Sequence, residues 1–139
     1  MHGLRRVVAV IDDDASVRGA LLRLLRTAGF DVSLFATAEE YLAYPDQAAV
    51  DCLVIDVRLP GMGGLELLEQ LQGENRRPAL VIIAHEDEQA RNRALVAGAI
   101  GFFRKPCDNR QLLSAVYQAL GFGSREAITG EPGPGGSGG

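Results

Sequence analysis

Five short apolar runs alternate with amphipathic stretches between residues 4 and 120, and this repeat limits the fold more than any other feature of the chain. The runs read RVVAVI, DVSLFA, DCLVID, ALVIIA and AIGFF. Several of them are apolar without alternation, which is typical of strands covered on both faces. Strands that alternate with helices form parallel sheets. The sequence therefore predicts a single α/β domain of five βα units, with a doubly wound five-stranded parallel sheet.

The stretches between these runs carry signals for the ends of helices. Gly29 follows the first amphipathic stretch and predicts the end of the first helix. Thr37 with Glu40, and Asp108 with Gln111, have the spacing of capping boxes at the starts of the second and the last helix. Helices are therefore expected between the strands, where the (βα)5 pattern requires them.

The composition changes after residue 120. Residues 121–139 hold eight of the seventeen glycines and two of the six prolines. They contain too few apolar residues to offset the entropy lost on ordering. We therefore expect one globular domain at residues 4–120 and a flexible Gly/Pro-rich tail or linker stub at residues 121–139.

Charge and hydropathy argue against several classes of function. The net charge is −4, and Lys and Arg do not cluster, so we expect no direct nucleic-acid contact from this chain. No run approaches the roughly 18 apolar residues of a membrane span, and acids follow the first run too closely for a signal peptide. Two cysteines are too few for a disulfide framework and lack metal-site spacing. The chain is expected to be cytoplasmic, without membrane contact.

Charged residues collect where the predicted strands end. Asp12, Asp13 and Asp14 follow the first strand, Asp56 ends the third, and Lys105 follows the fifth. The carboxyl ends of parallel strands are the edge at which such sheets bind ligands. Neighbouring carboxylates repel one another in a partly buried cleft unless a cation lies among them. Asp14 is expected to belong to a solvated helix start, where Asp14 or Ser16 would serve as the N-cap. The other acids predict a Mg²⁺ site, and the charge of Lys105 would make that site neutral.

Three segments together carry a resemblance to a known family. VIDDD, LVIDVRLPGMGG and GFFRKP, in this order, resemble the receiver domain of bacterial two-component response regulators, over about residues 4–120. TAEEYL, RLPGMGGLELL and GAIGFFRKPCD are similar to its FixJ-like branch. The resemblance implies a flavodoxin-like fold that takes a phosphoryl group from a sensor histidine kinase or phosphotransfer protein. It further implies a surface change toward a partner or output domain, pairing of two copies through the fourth helix and fifth strand, and no enzymatic turnover in the usual sense.

The resemblance also implies roles for the charged residues. Asp56 matches the phospho-acceptor, Asp12 and Asp13 match the acidic pair that holds Mg²⁺ together with it, and Lys105 matches the lysine that contacts the phosphoryl group. These roles agree with elementary chemistry. A carboxylate that attacks phosphorus forms an acyl phosphate, while a metal ion and an ammonium group stabilise the charge that shifts onto the phosphoryl oxygens.

One position departs from the family pattern. Receiver domains carry Ser or Thr at the end of the fourth strand, where this chain has Ile83, and no Ser or Thr occurs between Thr37 and Ser114. Phe102 matches the aromatic residue that changes rotamer on activation, and the bond before Pro106 is often cis in the family. We expect that phosphorylation at the acceptor persists, but that it is weakly coupled to Phe102 or that the active shape is populated beforehand.

Two alternatives to a phosphorylation-dependent switch follow from the same residues. The loss of the hydroxyl at Ile83 favours a receiver-like module that binds proteins independently of phosphorylation. The Asp-x-Asp in DDD favours a phosphatase similar to the haloacid-dehalogenase family, with Asp12 as nucleophile. Against the phosphatase hypothesis, the sequence shows no cap domain and does not have the Ser or Thr that such enzymes use. The modified aspartate, Asp56 or Asp12, would separate the switch from the phosphatase.

Overall fold

The computed structural model describes residues 5–73, 76–84, 87–106 and 108–121, and the predicted tail at 121–139 lies outside these ranges from residue 122 onward. Five strands alternate with five helices. The elements are β1 (Val7–Ile11), α1 (Ala15–Thr27), β2 (Asp31–Phe35), α2 (Ala38–Leu42), β3 (Cys52–Asp56), α3 (Gly64–Gln70), β4 (Ala79–Ile83), α4 (Glu88–Val96), β5 (Gly101–Arg104) and α5 (Asn109–Ala119), with a short 3₁₀ turn at Gln47–Ala49 before β3.

The five strands form one parallel sheet in the order β2-β1-β3-β4-β5. The strand order reverses between β1 and β3, so the crevice at their carboxyl ends is the place where open α/β sheets bind ligands. The predicted (βα)5 doubly wound sheet is confirmed. Among the described residues, no helix is long and apolar enough to cross a bilayer.

Two apolar layers cover the two faces of the sheet. One layer packs α1 and α5 against the sheet through Leu21, Leu25, Leu112 and Val116. The other layer packs α2, α3 and α4 on the opposite face, with buried residues that include Tyr41, Leu67, Ala90, Ala94, Ile55 and Ile83. Because both faces are covered, β3 and β4 are buried along their whole length. This explains why their sequences show no polar alternation.

The caps of α2 and α5 differ in detail from the predicted ones. Thr37 Oγ1 accepts a hydrogen bond from Glu40 N at 3.0 Å, but the Glu40 carboxylate accepts from Ala36 N and not from Thr37 N. Asp108 Oδ1 accepts from Arg110 N at 2.8 Å, and no bond to Gln111 N occurs there. The helix starts were therefore predicted correctly, whereas the reciprocal capping boxes were not.

The fifth strand begins later than the apolar run AIGFF predicts. It spans Gly101–Arg104, because Ala99 lies in the turn that closes the C-terminal end of α4. Ala99 N donates to Ala94 O at 2.9 Å, and Gly98 between them has a φ of +100°. A left-handed residue of this kind closes a helix and satisfies its last carbonyls. The apolar side chain at the helix end was thus read as part of the strand.

Candidate functional site

The carboxyl ends of β1 and β3 bring three aspartates together. Asp12 follows β1 directly and is 1% exposed, and Asp56 is the last residue of β3 and is 2% exposed. Asp13 lies beside them and is exposed. One carboxylate oxygen from each residue lies within 4.8 Å of the other two. The structure thus places the predicted acidic residues in one cluster at the reversal of strand order.

Local hydrogen bonds hold Asp12 in place. Its backbone N donates to Phe35 O at 3.0 Å, and its Oδ1 accepts from Asp14 N at 2.9 Å. Arg18 on the first turns of α1 donates from Nη1 to the carbonyl oxygen of Asp12 at 2.8 Å. Asp14 itself caps α1, since its Oδ1 accepts from Ser16 N at 2.8 Å. The turn from β1 into α1 is therefore ordered by the acidic residues themselves.

Asp56 is held through both carboxylate oxygens. Its Oδ1 accepts from Arg58 N at 3.0 Å, and its Oδ2 accepts from Lys105 Nζ at 3.0 Å. The start of α3 packs directly on the backbone of this residue, because a Cβ atom at Gly64 would collide with Asp56 O. Only a glycine allows this approach. The orientation of the Asp56 carboxylate is thus fixed by three neighbouring segments of the chain.

Lys105 reaches the cluster from the end of β5. Burial by itself would lower the pKa of its ammonium group, but the hydrogen bond to Asp56 and the charges of Asp56, Asp12 and Asp13 outweigh burial and raise the pKa. The lysine is therefore a cation at neutral pH. Its side chain is 43% exposed, so it lies at the boundary between the cluster and solvent. The following bond, Lys105–Pro106, is cis.

The Asp12 carboxylate has an unsatisfied oxygen. Among the described residues, its buried Oδ2 has no hydrogen-bond partner. Burial, together with the charge of Asp56, raises the pKa of Asp12 from 3.8 to about 6, against the opposing hydrogen bond from Asp14 and the charge of Lys105. Buried polar atoms normally have partners. A hard divalent cation such as Mg²⁺ would satisfy this oxygen, and the Asp12, Asp13 and Asp56 donor set fits one.

A cleft of about 490 Å³ opens beside the cluster, between α1 and α5. Asp12 and Lys105 lie at its polar end, whereas Val17, Leu21 and Leu112 form an apolar wall. Of the three aspartates of the cluster, Asp12 lines this cleft, whereas Asp13 and Asp56 do not. The apolar wall excludes part of the solvent, and this strengthens the electrostatic interactions at the polar end.

Comparison with known proteins identifies the family. The family model for the response regulator receiver domain matches residues 8–117. The chain belongs to this family of receiver domains. The resemblance carried by the acidic, acceptor and lysine segments is thereby confirmed.

The relatives of this receiver domain include FixJ-like regulators. Response regulator protein TodT of Pseudomonas putida is 37% identical over 115 residues, which cover 82% of this chain and 51% of that protein. Transcriptional regulatory protein FixJ of Bradyrhizobium diazoefficiens is 36% identical over 114 residues, covering 81% and 56%. A putative response regulator from Chloroflexus aurantiacus has a similar structure, with a TM-score of 0.78, 31% identity and coverage of 84% and 98%. The chain spans about half the length of TodT and FixJ.

The two positions for which the sequence predicts a switch role, Ile83 and Phe102, lie on the face of the sheet that α4 covers. Ile83 is fully buried and ends β4, and its carbonyl accepts from Lys105 N at 3.1 Å. Phe102 is half-buried and packs against the same apolar layer as Ile83. Phe103 packs on the opposite layer. Ile83 thus ends β4, which lies between β3 and β5, and its branched apolar side chain, which has no hydrogen-bond donor, packs in the layer under α4.

Two arginines that sequence reasoning missed hold the Phe102 ring. The Arg91 guanidinium on α4 lies 5.0 Å from the ring centroid, and the Arg104 guanidinium on β5 lies 5.7 Å from it. Glu88 forms ion pairs with both, at 3.5 Å to Arg91 and 3.9 Å to Arg104. Only the alternation of β5, which puts Arg104 on the face of Phe102, was visible in the sequence. The approach of α4, which brings Arg91 to the Phe102 ring, could not be seen in the sequence.

A third residue that the sequence did not indicate tethers the loop after Asp56. Glu39 of α2 accepts a hydrogen bond from Met62 N at 2.9 Å through Oε2. This bond lowers the pKa of Glu39. The loop between β3 and α3 is thereby tied to a neighbouring helix. No spacing rule links residues 39 and 62, so sequence patterns gave no signal for the contact.

Proposed function

We propose that this receiver domain accepts a phosphoryl group on Asp56 from a sensor histidine kinase or a phosphotransfer protein, with Mg²⁺ held by Asp12, Asp13 and Asp56. The observation that supports it most is the Asp56 carboxylate, which is 2% exposed, bonded to Lys105 at 3.0 Å and adjacent to an unsatisfied Asp12 oxygen. A buried carboxylate surrounded by groups of both signs is suited to nucleophilic attack on a phosphoryl donor.

The residues of the chain prepare Asp56 for the transfer. Arg58 N–H and the Lys105 ammonium hold its two oxygens, so little orientation entropy is lost when the donor arrives. A bond forms between a carboxylate oxygen and phosphorus, and the bond from phosphorus to the donor nitrogen breaks, with its electron pair staying on nitrogen. Lys105 stabilises the charge on the phosphoryl oxygens from one side. When bound, Mg²⁺ supplies the remaining charge neutralisation.

Ile83 is proposed to weaken the step that follows phosphorylation. It offers no hydroxyl to the phosphoryl group, and the loss of one hydrogen bond to a charged group costs about 1.5–3 kcal/mol. Its complete burial next to the Phe102 layer supports a fixed arrangement there. The expected result is phosphorylation that is poorly coupled to Phe102, or an active shape populated before phosphorylation. In an Ile83→Thr variant, the phosphorylation-dependent change in Phe102 NMR shifts should be larger than in the parent chain, and equal changes would contradict this.

The wider properties of the protein belong to the same proposal. The domain is taken as residues 4–120, supported by the family match over residues 8–117, with 121–139 as a tail or linker stub. We propose that the domain is cytoplasmic and is not an enzyme that turns over a substrate. It acts on a partner or output domain and makes no contact of its own with nucleic acid or a membrane. Pairing of two copies through α4 and β5 is supported by Val96 and Ile100, which are 87% and 54% exposed there.

A second candidate function is a protein-binding module that does not depend on phosphorylation. Ile83 favours it, because the position that would sense the phosphoryl group has no donor. It differs from the first proposal in one respect only, namely whether Asp56 is modified at all. The phosphatase alternative is separated in the same way, since it requires modification of Asp12.

Intact mass measurement with peptide mapping, after incubation with Mg²⁺ and acetyl phosphate, tests these readings. We expect one phosphoryl group in the parent chain, none in Asp56→Asn, and one in the matched control Asp46→Asn, whose exposed side chain makes no capping hydrogen bond. A phosphoryl group on Asp12 would support the phosphatase instead. A folded, Mg²⁺-binding chain without any adduct would refute phosphotransfer and favour the protein-binding module.

A further inference from the structure

Phosphorylation changes the charge of the acidic cluster. Before it, one bound Mg²⁺ and Lys105 would balance the negative charges of Asp12, Asp13 and Asp56. A phosphoryl group carries nearly two negative charges at neutral pH, and it replaces the single charge of the Asp56 carboxylate. The phosphorylated site therefore holds roughly one negative charge more than its cations balance. A further cation within reach would be drawn to it.

Several arginines of the described residues lie on segments that meet at this edge of the sheet, among them Arg18, Arg58, Arg91 and Arg104. Arg18 is already bonded to the carbonyl oxygen of Asp12 at 2.8 Å. Arg58 follows the acceptor but is exposed, so water and salt screen its charge. Arg104 is half-buried, and its side chain is 38% exposed. The Arg91 side chain is buried to a similar extent, at 36% exposed, but Arg91 lies on α4, whereas Arg104 lies on the strand that pairs directly with β4.

The strand register puts Arg104 within reach of the phosphoryl group. Asp56 pairs with Ile82 across β3 and β4, and Ile83 pairs with Arg104 across β4 and β5. Two strand spacings and a one-residue offset separate the Cα atoms of Asp56 and Arg104, which is about 10 Å. Val54 and Phe102, two residues earlier on each strand, pack on opposite layers of the sheet, so Asp56 and Arg104 start from opposite faces. An extended arginine side chain and an aspartyl phosphate are together long enough for this separation if the arginine passes around the end of β4. Only the end of β4, at Ile83, lies between them.

The present contacts of Arg104 are weak ones. Its guanidinium lies 5.7 Å from the Phe102 centroid, close to the roughly 6 Å limit of cation–π attraction. Its ion pair with Glu88 is long, at 3.9 Å, and surface pairs of this kind contribute little. Within the described residues its buried Nε has no hydrogen-bond partner. Arg91 lies closer to the same ring and holds it without Arg104.

We infer that Arg104 turns from the Phe102 ring to the phosphoryl group on Asp56, supplying the cation that the phosphorylated site lacks and removing one of the two arginines that hold Phe102. This inference rests on the proposed function. In this inference, the Arg104 side chain on β5 couples phosphorylation of Asp56 to the α4–β5 face. Ile83 does not provide this coupling because it has no hydroxyl group. A phosphoryl oxygen would also give the Arg104 Nε its missing acceptor.

The test measures the binding of beryllium trifluoride, a phosphoryl mimic, with Mg²⁺ in the full chain. Arg104→Gln is expected to weaken this binding by roughly tenfold, or about 1.4 kcal/mol, and Arg104→Lys to recover part of it because the charge returns. The matched control Arg91→Gln, on the same ring, is expected to change it less than about twofold. Arg58→Gln, beside the acceptor, tests the competing cation. In the parent chain, the Arg104 Nε–H NMR signal should shift and exchange more slowly with solvent when the mimic binds.

The outcomes separate this inference from the proposed function. Binding of the mimic that Arg104→Gln leaves unchanged, or that Arg91→Gln weakens equally, would overturn the role of Arg104 while the phosphotransfer proposal stands. A selective loss in Arg58→Gln would transfer the role to Arg58 and overturn the inference as well. If the parent chain takes up neither acetyl phosphate nor the mimic, the proposed function itself fails and the inference fails with it.

Discussion

Neutralising Asp12 should stabilise the metal-free protein. Folding raises the pKa of the Asp12 carboxyl from 3.8 to about 6, because it is buried and lies near Asp56. Each pKa unit corresponds to about 1.4 kcal/mol, so the ionised Asp12 costs the folded state about 3 kcal/mol at neutral pH. Asp12→Asn keeps the shape of the side chain and removes this charge. We expect an increase of up to about 3 kcal/mol in the free energy of unfolding at pH 8 in EDTA.

The free energy of unfolding of the metal-free parent chain should depend on pH, because the pKa of Asp12 differs between the folded and the unfolded state. Below pH 3.8 Asp12 is protonated in both the folded and the unfolded state, so its ionisation costs nothing. Between pH 3.8 and about 6 the unfolded state loses the proton while the folded state keeps it, and stability falls as the pH rises. Above pH 6 the cost is constant. The gain from Asp12→Asn should therefore be absent near pH 3.5, grow up to pH 6 and then stay level.

Urea denaturation of the parent chain and Asp12→Asn, at several pH values in EDTA, measures this gain. The exposed Asp46→Asn serves as the matched control and should show none. Added Mg²⁺ at 100 times its dissociation constant should stabilise the parent by about 2.7 kcal/mol but leave Asp12→Asn nearly unchanged. A gain that does not depend on pH, or a loss of stability at pH 8, would refute the assignment of a buried, unsatisfied carboxylate.

Three further predictions concern other residues. Gly64→Ala should destabilise the fold by about 1–3 kcal/mol in urea denaturation, since the new methyl group meets the Asp56 carbonyl. Gly19→Ala, in a helix with ordinary contacts, should instead stabilise the fold by about 0.5–1 kcal/mol. Equal effects of the two substitutions on the free energy of unfolding would contradict the steric argument. Burial raises the pKa of the Cys52 thiol to about 12, so in a Cys107→Ser background thiol reagents at pH 8 should react only after unfolding, and rapid labelling of the native protein would contradict this. Lys105→Gln should slow phosphorylation by acetyl phosphate about 100-fold or more, as followed by intact mass, and a rate near that of the parent chain would exclude a direct contact with the phosphoryl group.

The acidic cluster shows how far sequence reasoning reaches into the site. Asp12 and Asp56 are separated by more than forty residues, yet both end apolar runs, and parallel strands place their carboxyl ends at one edge. The convergence of these aspartates with Lys105 therefore followed from periodicity and topology alone. Periodicity does not determine the distances between side-chain atoms of separate elements. The unsatisfied Asp12 oxygen and the raised pKa of Asp12 could therefore be found only in the packed structure.

By itself, the sequence determined the elements of this protein and their order, because apolar periodicity and capping residues act over a few positions of the chain. It also determined that Ile83 brings no hydroxyl to the end of β4. Tertiary structure decided which side chains from separate elements meet, as with Arg91 and Arg104 on the Phe102 ring. The physical reason is that such contacts depend on how α4 lies against β5, and that position is set by the packing of small buried residues, Ala90 and Ala94, against the sheet.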